Sequence, residues 1–200
     1  MKVFDNVEEI KKYIDSYSEV NDIIWNIRGI MRYKDSSCGI YGVDLDIFNK
    51  FIKTSKDLSY NLFQQYCNLI PNIRIYFNPN PIYLPYLKYY LDKFNIFEDY
   101  NLPFSTERLT SILLENNVYF EKSKILLDID VPDTMEKIEN ILNTNFQIIL
   151  KVRTMQGYHI LLNNLTVLEF IKLKKLFPEN EFPEITFKKN YNLCLLYHGF

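Results

Sequence analysis

Alanine is absent from the 200 residues, glycine holds five positions, cysteine three, histidine two and tryptophan one. Three scattered cysteines, Cys38, Cys67 and Cys194, argue against a disulfide framework and suit a reducing cytoplasm. They also rule against zinc: Cys194 and His198 are four apart on an expected strand, where they would not converge, and no second pair exists. No apolar run reaches the length of a membrane span. The opening stretch MKVFDNVEEIKKY turns charged at once, unlike a signal peptide. A strong charge of either sign is missing too. The net charge is −2 and the pI about 5.8, so no global basic field draws the chain to nucleic acid. Any such contact must come from a local patch.

What is present is an ordinary globular composition, 48% apolar and 24% charged, with 16 tyrosines and 15 phenylalanines. Heavy use of Ile, Asn, Lys and Tyr fits an AT-rich coding genome. The length suits one domain with a real core. Val7, Ile10 and Ile14 share a face, so 6–17 reads as a helix. DIIWNIRGIMRYK (22–34) reads as a strand, with IYGVDLDIF (40–48) as its hairpin partner. Residues 55–69 read as a helix capped by Ser55, NIRIYFNP (72–79) as a short strand, and 81–96 and 106–116 as aromatic-rich helices.

The last third is the most regular. KILLDID (124–130) has the length and apolarity of a buried central strand. A helix over 133–143 opens with a capping box of Asp133 and Glu136, and one over 166–177 with Thr166 and Glu169. Between them, 146–154 and 157–163 read as strands joined by a tight turn at Met155-Gln156-Gly157. EITFKK and YNLCLLYHGF close the chain as strands. With no repeat, linker or composition break, the expectation is one α+β domain over 1–200: an antiparallel-dominated sheet with helices flanking one side.

Two stretches carry chemistry. An aspartate at the end of a buried strand reaches the rim of its sheet, and one two residues on shares its face. Asp128 and Asp130 therefore aim two carboxylates at one point, as a hard divalent cation requires. Without a cation such carboxylates repel, so at least one is expected to titrate high. The bland alternative is a chance D-x-D, as at Asp44 and Asp46, with Asp130 capping a turn. His159 lies in an apolar strand just past Gly157. It reads either as a core histidine or as a ligand-contacting one, with Gly157 admitting a phosphate or sugar close to the backbone. Arg153 and Thr154 border the same turn. His198 reads as a terminal polar residue.

A D-x-D strand, a helix, and a hairpin bearing T-x-x-G-x-H resemble, in that order, the catalytic core of the archaeo-eukaryotic primase (primase–polymerase) superfamily. The resemblance covers about 124–188. It implies an RRM-like core with Mg²⁺ or Mn²⁺ on Asp128 and Asp130. His159 would act with the carboxylates in catalysis and contact nucleotide phosphate beside Thr154, Gly157 and Arg153. The family's further carboxylate has no aspartate here, and Glu184 in PEITF is the candidate. The layout also looks like small phage proteins with R-x-K-D (Arg32, Lys34, Asp35), R-x-Y-x-N (Arg74, Tyr76, Asn78) and a closing LLY strand. Arg32, Lys34 and Arg74 are then nucleotide-binding candidates.

The resemblance implies a metal-dependent nucleotidyltransferase-like domain in phage nucleic-acid metabolism, active or degenerate, in the host bacterial cytoplasm. The alternative is a non-catalytic accessory module binding nucleotide, nucleic acid or a host protein, with tyrosines stacking on bases or filling an interface. A metal-dependent nuclease ranks lower, because no lysine follows the D-x-D strand in a D…E-x-K pattern.

Overall fold

A computed structural model describes residues 3–31, 45–70, 72–93, 124–130, 135–163, 165–188 and 194–199. In chain order its elements are β1 (Val3–Asp5), α1 (Val7–Asp15), β2 (Ile23–Met31), β3 (Leu45–Ile52), a 3-10 turn (Ser55–Asp57), α2 (Tyr60–Leu69), β4 (Ile73–Tyr83) and α3 (Leu84–Lys93). There follow β5 (Ile125–Ile129), α4 (Met135–Asn145), β6 (Ile148–Arg153), β7 (Tyr158–Leu162), α5 (Val167–Leu176), β8 (Ile185–Lys188) and β9 (Cys194–Gly199). The fold is α+β with antiparallel strand pairs and flanking helices, as expected. Where the sequence suggests one domain, two compact units form: Met1–Phe120 with Leu193–Phe200, and Glu121–Asn192.

The first unit holds a five-stranded sheet in the order β1-β9-β4-β2-β3. Asp22 and Asn72 take the left-handed conformation, at φ 57° and 62°, immediately before β2 and β4. Asp and Asn tolerate that conformation best among side-chain-bearing residues. β3 pairs with β2 from Trp25↔Ile52 to Met31↔Leu45; the rest of the expected arm, 40–44, lies outside the described residues. β4 runs on through Pro79 and Pro81. Among the described residues its pairing with β9 covers Ile75–Phe77, short of both prolines. The expected single helix over 55–69 is split. Asp57 accepts from the Thr54 backbone at 2.9 Å and closes the 3-10 turn. Ser59 then caps α2 by accepting from the Leu62 N–H at 3.3 Å. Beneath α1, Tyr13, Tyr17, Trp25 and Phe77 pack mostly edge to face, with ring centroids 5.2–6.1 Å apart. The expected helix over 106–116 lies outside the described residues.

The second unit runs β5-α4-β6-β7-α5-β8 and forms a four-stranded antiparallel sheet in the order β6-β7-β5-β8. This is a split β-α-β arrangement, with the first and third strands of the unit at the centre. Period two sorts the side chains. Ile125, Leu127, Ile129, Ile160, Leu162 and Ile185 meet Met135, Ile138 and Leu142 of α4 and Leu173 of α5 in one core. Leu126, Leu150, Val152 and Leu161 are buried on the opposite face. β5 is thus apolar on both faces until Asp128. α5 carries its expected box: Thr166 accepts from the Glu169 N–H at 3.2 Å, and Glu169 accepts from the Thr166 N–H at 2.8 Å.

Candidate functional site

The four-stranded sheet centres on β5, so Asp128 has a neighbour on each side. Its cross-strand partners are His159 on β7 and Thr186 on β8. One carboxylate oxygen, Oδ1, lies 3.1 Å from His159 Nε2, and the other, Oδ2, is in contact with Lys188 Nζ. Lys188 sits opposite Leu126 and reaches diagonally along the face to Asp128. The side chains grade outward: His159 is 8% exposed, Asp128 21% and Lys188 39%. A Lys–Asp–His chain therefore crosses three adjacent strands on the face away from α4 and α5.

Burial alone would push the Asp128 carboxyl up. The hydrogen bond and charge of His159, then those of Lys188, outweigh it and hold Asp128 well below the usual carboxylate range. At least one of the two carboxylates was expected to titrate high without a cation; Asp128 is instead held low, because two cationic or hydrogen-bonding partners already surround it.

The turn that presents His159 is closed by its own residues. The Thr154 N–H donates to the Gly157 carbonyl at 2.9 Å, and the Gly157 N–H donates to Thr154 Oγ1 at 3.0 Å. A Cβ on Gly157 would stand 1.9 Å from the Ile129 carbonyl oxygen. The space a glycine leaves is thus filled by the end of β5, and this contact holds the hairpin against the aspartate strand. Arg153 is exposed at the rim, opposite Tyr158.

Asp130 follows β5 directly and is exposed. Its N–H donates to the Glu184 carbonyl at 3.2 Å, which extends the β5–β8 ladder one rung past Ile129 and Ile185. Strand alternation then assigns Asp130 and Glu184 to the face of Asp128, Thr186 and Lys188. Among the described residues, no three His, Cys, Asp or Glu side chains gather closely enough to share one metal ion. In this arrangement both oxygens of Asp128 already face a nitrogen. A dication about 4 Å from the Lys188 ammonium is repelled by roughly 2 kcal/mol in water and roughly 8 kcal/mol at an effective dielectric of 20. The donor set as arranged does not fit a divalent ion on Asp128.

The other expected site residues lie elsewhere. Arg74 is on β4 in the first unit, where Arg28, buried on β2 opposite Tyr76, shares its face of the sheet. Arg32 and Lys34 are outside the described residues, as is Asp133. His198, expected as a terminal polar residue, is fully buried on β9. Lys188 went unremarked in the sequence, although its period-two spacing from Thr186 would have put both on one face. No protein-family profile, curated protein or solved structure matches this chain.

Proposed function

We propose that Glu121–Asn192 is an RRM-like, nucleotide-binding core of the primase–polymerase type. The observation that carries the reading is the cross-strand pair Asp128–His159, at 3.1 Å, on the two central strands of a β-α-β-β-α-β unit. The D-x-D strand and the T-x-x-G-x-H hairpin are separated by about thirty residues, and opposite faces of the sheet were open to them. Their meeting is what the proposed reading requires.

In this reading each residue has a physical task. Asp128 stays ionised and fixes the ring of His159. His159, on the face of Asp128 and Lys188, is the contact to the phosphates of a nucleotide, while Arg153 shares the other face of the sheet with Tyr158. Thr154 and Gly157 hold the turn that sets the height of β7 against β5. Mg²⁺ or Mn²⁺ would supply charge neutralisation for phosphoryl transfer, but Asp128 as arranged has no oxygen for it, so the proposal stops at binding. A phage origin and a role in nucleic-acid metabolism belong to the same proposal.

The test is titration of the whole chain with ATP and dATP by calorimetry, with and without Mg²⁺. Binding should weaken about tenfold in His159→Ala while the far-ultraviolet spectrum stays that of the parent. No binding of either nucleotide at millimolar concentration would remove this reading and leave the protein-binding module in its place.

A further inference from the structure

We infer that Lys188 is a built-in counter-ion, its ammonium standing on Asp128 in the place of a divalent cation and keeping that carboxylate closed to metal. The geometry carries this directly. Asp128 has two oxygens and two partners, and Lys188 takes the outer one, Oδ2. With His159 almost buried beneath, the outer oxygen is the one an ion from solution would reach. An ammonium is compact, carries one charge, and donates directly to a carboxylate oxygen. It differs in being covalently tethered. The local concentration of a tethered cation does not fall when the solution is stripped of metal, so the Asp128 charge is balanced at every metal concentration.

The consequence is a latent cation ligand. Removing the charge of Lys188 while keeping an unbranched stem releases one oxygen, Oδ2, of the partly exposed Asp128 carboxylate. The inference goes beyond nucleotide binding, and no nucleotide enters its test, so either can fail alone. Mn²⁺ binding is measured by electron paramagnetic resonance of the free ion, at neutral pH, on the full chain. Lys188→Met should bind Mn²⁺ at least about tenfold more tightly than the parent, as loss of one repelling unit charge requires. Lys188→Arg should bind no better than the parent, and adding Asp128→Asn to Lys188→Met should abolish the gain. Lys188→Gln, which keeps a donor to Asp128, is the second variant if Lys188→Met does not fold, and it should show the same direction. Equal Mn²⁺ affinity in the parent and in a folded neutral variant would overturn the inference. So would Mn²⁺ binding to the parent that Asp128→Asn removes.

Discussion

Replacing Gly157 with alanine tests how the site is held, because the added methyl meets backbone. Its Cβ would lie 1.9 Å from the Ile129 carbonyl oxygen and 2.9 Å from the Ile129 carbonyl carbon, against a practical limit of 3.0 Å. No side chain can rotate away to make room. The turn must retreat from the end of β5 by about 1 Å, the difference between 1.9 and 3.0 Å. That movement strains the two hydrogen bonds between Thr154 and Gly157, each worth about 1 kcal/mol. Overpacking against a fixed backbone adds about 1–3 kcal/mol. Gly157→Ala should therefore cost about 3–5 kcal/mol in urea denaturation followed by tyrosine and tryptophan fluorescence. The same displacement lifts the start of β7, so the 3.1 Å contact of His159 with Asp128 should open. The His159 ring nitrogen chemical shifts, measured by NMR at one fixed pH, would then differ from those of the parent. Gln156→Ala, one residue away and exposed, should be within 0.5 kcal/mol of the parent, roughly the range of ordinary surface changes. If Gly157→Ala were as mild as Gln156→Ala, the packing of the hairpin on β5 would be wrong.

Three further outcomes follow from the same contacts. Asp128→Asn should destabilise the chain by about 2 kcal/mol at pH 7, since a partly exposed charge-assisted pair is worth less than a buried one, with urea denaturation as the measurement. Because the folded carboxyl of Asp128 is held below its unfolded value of about 3.9, its contribution is complete above that pH and lost as pH falls through the lower folded value, so the gap between parent and Asp128→Asn should narrow only below about pH 4. Thr166→Ala should cost about 1 kcal/mol in a thermal melt by removing the acceptor for the Glu169 N–H, without changing nucleotide affinity.

Much of this was legible because the second unit obeys local rules. A short apolar run ending in Asp128, a capped helix and a Gly-turned hairpin specify β5, α4, β6 and β7 almost to the residue. Period two then brings Asp128 and His159 to one face once β5 and β7 pair. What failed depends on distant pairing or on competing local signals. NIRIYFNP read as a short strand, yet β4 continues to Tyr83, where Ile82 and Tyr83 pair with Ile24 and Ile23 of β2. Ser55 resembled a helix cap, but Asp57 and Ser59 offered two successive acceptors and broke the segment into two.

Lys188 shows the same limit in the site itself. Its residue type and parity were visible in EITFKK, but its role depends on β8 pairing with β5 in the register Asp128↔Thr186. A slip of one residue would turn Lys188 onto the face of Ile185 and Phe187 and return Thr186 to the core. Apolar Ile185 and Phe187 fix that register, because either on the other face would leave the core of α4 and α5 unfilled. The packing that stabilises the unit thus selects which charge meets Asp128. A change made only for the core, such as a polar residue at Ile185, should disturb the ion-pair chain without touching any of its members.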